Sequence, residues 1–439
     1  MYHEDGDGVR HLLLPVCIGL SGQTVPGAVS RPGPRPGGVG AVIDGSGSWA
    51  LRLRNGQAVF DEFMEAAPFP ISRATLARRT GLSKPTVSAL VSDLEDAGVV
   101  SLIPPSETSQ GRIGRPATPY ALVPDAALVV GVDMGATKII VGVADLLGRV
   151  LAEDRIETGS HARVAVDTVV GATTRLLETL GGKDHLLESG CVGVPGVYRP
   201  RLDRVEMSPN LAGFADLPIR AELSERLGVP VTIENDVNLA AVAEAEAMDD
   251  LGGLDFVAIS VGTGIGAGLV MDGRLYRGGH GAAGELGSID ICGAGDDRAG
   301  RLTLEDVASA PAIRRRFRQA IDTGLTSRLE RDAEVSEILL AASSGDEAAS
   351  EAIGIAAEAM ASAVAWLCWF SDPARIVFGG GVGSNPTFVD AVRSKLDRHL
   401  DETPELVASA LGNRAAFTGA ISTARASVRT TFVRGRLGR

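Results

Sequence analysis

The sequence predicts an α/β protein in which an N-terminal winged helix-turn-helix precedes an internally duplicated α/β domain. Three observations carry that reading. Two short capped helices flank a glycine turn and lead into a pair of apolar segments between Ser72 and Val123. From Leu128 onward, short Val/Ile/Gly strands alternate with Ala/Leu/Glu helices, the pattern of repeated βα units. Within that region, Leu128 to Val150 and Phe256 to Tyr276 follow one plan of strand, glycine-rich turn and strand, the mark of an internal repeat.

The chain has 439 residues, enough for two or three domains, each expected to have its own core. Its net charge of -13 excludes DNA binding by bulk electrostatics, so any nucleic-acid contact must come from one locally basic module. An aromatic content of 4% argues against stacking on single strands. Cys17, Cys191, Cys292 and Cys368 form no CxxC pair, which fits a reducing compartment. The N-terminal apolar run His11 to Leu20 follows an acidic start and contains Pro15, unlike a secretory signal. No segment is expected to approach the ~20 apolar residues that span a bilayer. A cytoplasmic protein without membrane contact is the expectation.

Residues 1–48 read as a disordered leader, Gly/Pro-rich over its second half. The winged helix-turn-helix is placed at 49–124. Trp49, Leu51, Leu53, Val59, Phe60, Phe63 and Met64 supply the stripe of a first helix, ended by Pro68 and Pro70. Ser72 caps a helix from Arg73 to Thr80, with Ala74, Leu76 and Ala77 available to the core. Gly81 makes the turn. Ser83 caps a longer helix to about Ala97, with Pro85 harmless in its first turn. Val87, Leu90, Val91 and Leu94 face inward at helical spacing and leave Lys84, Thr86, Ser88 and Ser92 outside. Val99 to Ile103 and Tyr120 to Val123 are the wing strands. The loop between them carries Arg112 and Arg115, suited to a narrow minor groove. Residues 72–122 hold six cations against four carboxylates. Helix-turn-helix geometry puts the second helix in a major groove, so Arg73, Ser83, Lys84, Thr86, Ser88, Arg112 and Arg115 are the candidate DNA contacts.

In the second domain, placed at 126–428, each hairpin turn can offer backbone N–H groups to a phosphate. Gly379-Gly380-Gly381-Val382 before a helix strengthens that signal. On this plan Asp133 would hold magnesium or its water, and Thr137 would contact phosphate. Residues 429–439 form a basic, frayed tail.

Asp133-Met134-Gly135-Ala136-Thr137-Lys138, Gly193-Val194-Pro195-Gly196, Glu234-Asn235-Asp236-Val237-Asn238, Gly262-Thr263-Gly264 and Ala283-Gly284-Glu285-Leu286-Gly287 resemble, in this order, the ROK family (repressors, open reading frames, kinases). Leu304-Glu305, Ala308 to Ile313 and Gly379 to Val382 continue the likeness, which covers about residues 126–425. With the N-terminal module it is similar to the NagC/XylR-type regulator branch. The resemblance implies an actin/hexokinase-like fold with a sugar cleft between two lobes. It implies sugar contacts from Asn235, Asp236, Glu285 and Glu305, with Asp236 the general base wherever such a protein is a kinase. Asp133, Gly135, Thr137, Lys138, Gly262, Thr263, Gly264, Gly380 and Gly381 would serve a nucleotide.

Two departures stand out. The family's Gly-His after the Gly-Glu segment is Gly287-Ser288 here, and Cys292 stands without the cysteine cluster that normally follows. Tetrahedral zinc needs four ligands, so no structural zinc and no other resident metal is expected. The expected function is a DNA-binding transcriptional regulator, a repressor, that senses a sugar, sugar phosphate or related metabolite. Its partners would be a double-stranded operator and a second copy or three further copies of itself. The alternative is an ATP-dependent sugar kinase, with ATP and Mg²⁺ needed only in that case.

Overall fold

The computed structural model describes residues 45–104, 119–135, 137–159, 161–207, 212–248, 254–291 and 302–437. The leader before Gly45, the wing loop with Arg112 and Arg115, and Cys292 lie outside them.

Helix α1 (Gly45–Ala66) starts before Trp49 and uses a narrower face than the sequence stripe suggested. Val59, Phe60 and Phe63 are fully buried, whereas Trp49 and Leu51 remain exposed. Strand β1 (Ile71–Ser72), helix α2 (Arg73–Thr80) and helix α3 (Lys84–Asp96) follow. Ser72 and Ser83 both act as N-caps, accepting from the N–H of Thr75 and Thr86. Gly81 has φ +71°, a left-handed conformation that glycine adopts without the Cβ penalty. Leu76 is the buried residue of α2; Ala74, expected inside, is exposed. Strands β2 (Val100–Leu102) and β3 (Pro119–Leu122) are antiparallel. β1 pairs with β3 on its other side, Ile71 opposite Tyr120. A two-residue strand leaves no period to read, which is why the sequence did not reveal β1.

The remainder is two lobes of one design. In the first, β4 (Leu128–Met134), β5 (Lys138–Asp145) and β6 (Val150–Glu157) form an antiparallel meander. Helix α4 (Ala162–Thr179) leads to β7 (Leu187–Val194), parallel to β4. A small ribbon, β8 (Val197–Arg199) and β9 (Arg204–Glu206), and helix α5 (Ile219–Leu227) precede β10 (Val231–Asn235), which closes the sheet order β10-β7-β4-β5-β6. Helix α6 (Asp236–Ala247) connects to the second lobe. There β11 (Phe256–Val261), β12 (Ile265–Met271) and β13 (Arg274–Tyr276) repeat the meander. Helices α7 (Leu304–Ala308), α8 (Ala310–Asp322), α9 (Val335–Ser343) and α10 (Glu347–Ser371) come before β14 (Arg375–Gly379). Helices α11 (Gly380–Gly383) and α12 (Pro386–Leu396) then lead to β15 (Glu405–Ala408). The resulting order, β13-β12-β11-β14-β15, matches the first sheet strand for strand. The duplication read from two hairpins thus extends to ten strands.

α10 corrects an expectation. By length and composition it suffices to cross a membrane, but half of its apolar window is buried. Ala348, Ala352, Ala356, Met360 and Val364 are packed in the second-lobe core. Its small side chains let the helices approach, as in a protein interior.

The final helix α13 (Ala415–Leu437) returns to the first lobe and lies on α6, β4 and β7. The basic end is therefore not frayed over Arg429 and its neighbours. Arg429 donates to Asp61 at 2.6 Å and to Glu65 at 3.4 Å on α1, and Phe432 packs on Phe60 with ring centroids 5.8 Å apart. The second lobe has its own core, whereas the winged module shares one with the first lobe. One apolar cluster contains Phe60, Leu76, Val91 and Leu94 of the winged module, Val129 and Ile140 of the first lobe, and Phe417, Ile421 and Val428 of α13.

Candidate ligand cleft and nucleic-acid interface

The second helix of the N-terminal module keeps one face free. Val87, Leu90, Val91 and Leu94 point into the core, so Ser83, Lys84 and Ser92 are exposed and Thr86 and Ser88 half-exposed. The Ser83 and Thr86 hydroxyls also bond one another at 2.8 Å, which fixes both at the start of α3. Asp93, farther along, is neutralised by Arg52 at 2.6 Å. Arg73 behaves differently from the other candidates. Its guanidinium donates to the Tyr120 hydroxyl at 2.6 Å and stacks 4.8 Å from that ring. It pins α2 to the wing rather than standing open to solvent.

Between the lobes, a cavity of about 210 Å³ is lined by Asp133 and Gly135 from the first hairpin, Thr263 from the second, Gly380 from the loop after β14, and Asp236. Strand ends place them. Asp133 is the penultimate residue of β4, and Asp236 opens α6 directly after β10. Thr137 and Lys138 sit exposed at the start of β5 and do not line this cavity. The turns are braced internally. Thr158 donates to the Gly135 carbonyl at 2.8 Å, and the Gly262 carbonyl accepts from Ala310 N–H at 2.8 Å.

The carboxylates form one electrostatic group. Burial, and the charge of Asp133 beside it, push the Asp236 carboxyl up to about 7. Burial likewise raises Asp133 to about 6, against the pull of Lys138. Glu285 is raised by burial and by Glu305, with Arg199 opposing. A carboxyl that titrates near neutrality and faces a cleft can accept a hydrogen bond or a proton from a hydroxyl.

Asn235 is largely committed to the fold. Its Oδ1 accepts from the N–H of Val237 and Asn238, capping α6, and its Nδ2 donates to the Gly196 carbonyl at 3.1 Å. An amide nitrogen has two hydrogens, so the second is the group left for a ligand. Glu305 is engaged through one oxygen, its Oε2 accepting from Ile265 N–H at 2.9 Å.

Sequence reasoning missed two arginines and gave Glu234 no role of its own. Buried Glu234 accepts from Asn238 Nδ2 at 2.9 Å and from Arg277 Nε at 2.5 Å. Arg199 donates to Glu206 at 2.8 Å and also to the His280 carbonyl. The Arg277–Glu234 and Arg199–His280 contacts join the first lobe to the second. The signal available was position: Glu234 precedes Asn235-Asp236, and Arg277 closes the second hairpin unit. Cys292 lies outside the described residues, and Ser288 stands where the resemblance has histidine.

Fold and cleft together define a two-lobed, actin/hexokinase-like protein fused to a winged helix-turn-helix. The chain belongs to the ROK family, which matches residues 129–427, and a winged helix-turn-helix DNA-binding family matches residues 68–101. It is similar to a glucokinase of Streptomyces coelicolor, 28% identical over 68% of this chain and 98% of that protein. It is also similar to a xylose repressor of Caldicellulosiruptor bescii, 28% identical over 70% of this chain and 79% of that protein. Among solved structures, a ROK family transcriptional regulator, a homologue of the E. coli MLC protein, superposes with a TM-score of 0.73 at 22% identity, over 88% of this chain and 99% of the other. A ROK family glucokinase from Streptomyces griseus, in complex with glucose and AMPPNP, gives 0.58 at 30% identity, over 68% of this chain and 100% of its own.

Proposed function

We propose that this protein is a DNA-binding transcriptional repressor, acting in the cytoplasm, whose kinase-like domain senses a sugar or a sugar-derived metabolite. The observation that carries this reading is the shared core: α13 crosses α6, the helix that begins at Asp236, and then packs on α1 of the DNA-reading module. A ligand that changes the angle between the lobes would shift α13, and α1 with it. Two recognition helices in a dimer must match half-sites about one helical turn apart, so a small rotation is enough to change affinity. The xylose repressor likeness supports the same reading.

The test is fluorescence anisotropy with DNA from the region upstream of the protein's own reading frame. Lys84→Ala should weaken binding about tenfold and reduce the slope of log affinity against log salt by about one. Unchanged binding would displace the reading surface from α3.

A second copy is the partner such a repressor needs, and α10 offers a surface for it. Trp366, Trp369 and Phe370 are exposed, with Trp366 stacked on Phe370 and edge-on to Trp369, and residues 359–371 carry no charge. Two chains of net charge -13 repel except where they meet on neutral surface. Trp369→Asp should move the protein from dimer to monomer by light scattering at micromolar concentration. An unchanged mass would place the dimer contact elsewhere.

The kinase alternative is favoured by one observation, the convergence of Asp133, Thr263, Gly380 and Asp236 on one cavity. Those residues fit a magnesium nucleotide, which would supply the phosphoryl donor when bound; Asp236 would then take the proton of the sugar hydroxyl. Release of ADP from ATP, Mg²⁺ and a sugar panel above background decides for that reading.

A further inference from the structure

Asn235 lines a second and larger cavity of about 1110 Å³, which shares no wall residue with the Asp133 cavity. Its walls come from the β8–β9 ribbon, Arg220 of α5, the length of β10 and the segment after β13. In a chain with an excess of acidic residues, these walls are basic. Arg199, Arg201, Arg220 and Arg277 line it, against the carboxylates of Glu206 and Glu234.

The local pairings decide what that excess can do. Arg277 is matched by Glu234 at 2.5 Å and Arg199 by Glu206 at 2.8 Å, so both carboxylates are already neutralised and repel no incoming anion. Arg220 donates to the Tyr198 hydroxyl at 3.1 Å and lies 4.0 Å from Asp203. Arg201, at the tip of the ribbon, has no ion pair or hydrogen bond among the described residues. A guanidinium presents a planar fork of donors that matches a carboxylate or a phosphate. Tyr198, whose hydroxyl burial and Asp203 push up to about 12, stays neutral beside it.

We infer that this cavity recognises an anionic substituent, so that the sensed ligand is an acidic sugar derivative. Its ring reaches Asn235, and its carboxylate or phosphate extends from the opposite end toward Arg201. The inference rests on the sugar-sensing reading and narrows its ligand class. A purely structural role explains Arg199 and Arg277, which tie the lobes together, but it leaves Arg201 at the cavity wall without a task.

The test is isothermal titration calorimetry on the full chain with glucose and galactose, their 1-phosphates, their 6-phosphates and their uronates. The 1-phosphates place the charge at one end of the ring; the 6-phosphates and uronates place it at the other. At least one of these acidic sugars should bind about tenfold or more tightly than its parent hexose. Arg201→Glu should bring that ratio to one or below. Parent hexoses that bind as well as every acidic counterpart would overturn the inference while leaving the sensing reading intact. So would a preference that survives Arg201→Glu. Failure of every sugar, neutral or acidic, would remove the sensing reading and this inference together.

Discussion

Replacing Gly419 by alanine should destabilise the whole chain by about 3 kcal/mol, seen as a lower urea midpoint at unchanged slope. Gly419 lies in α13 where it crosses α6, and a Cβ there would sit 1.8 Å from the Leu239 carbonyl oxygen. The obstacle is backbone, which cannot rotate aside, so the two helices would have to separate. The intrinsic gain of alanine over glycine within a helix, about 1 kcal/mol, is far too small to offset that. Gly354 in α10 supplies the control. Nothing lies within 4 Å of the Cβ it would gain, and Gly354→Ala should leave stability unchanged or raise it by up to about 1 kcal/mol. Equal behaviour of the two variants would mean that α6 and α13 do not pack this closely.

Asp236→Asn should make the protein more stable at alkaline pH and leave it unaltered in acid. The Asp236 carboxyl is raised to about 7 in the folded chain by burial and by the neighbouring Asp133 charge, while an unfolded aspartate titrates near about 4. The folded state therefore holds the proton more tightly. Its contribution to stability is complete below the unfolded value and is lost as pH rises through the folded one. A rise of roughly three units corresponds to about 4 kcal/mol at most, and partial solvent access at Asp236 reduces it. We expect the variant to exceed the native chain by about 2 kcal/mol at pH 8, with the difference vanishing near pH 4. A constant difference across that range would remove the ionisation of Asp236 as its cause.

What could be read from the sequence followed from periodicity and punctuation. Ser72, Ser83 and Gly81 mark helix ends by local chemistry, and the structure has each in that role. The two hairpins carried enough β-branched residues and glycine to define the duplicated plan. Long-range partners were not legible. Nothing around Trp49 says that α1 buries its Val59–Phe63 end alone, because that choice depends on where α13 arrives from the far end of the chain. The same distance hid the pairing of Arg429 with Asp61. In the site, motif spacing brought Asp133 and Asp236 onto one cavity. It gave no warning that Asn235 would spend most of its hydrogen-bonding capacity on the backbone, or that Glu305 would accept from Ile265 N–H.

The docking of Phe432 and Arg429 on α1 has a practical corollary for protein engineering. Excising residues 49–124 as a stand-alone reader would bare Phe60, which packs on the Phe432 ring. Chimaeras that exchange only this segment between relatives would inherit a mismatched seam. Exchanging it together with the last turns of α13 keeps the Phe60–Phe432 and Asp61–Arg429 contacts from one parent.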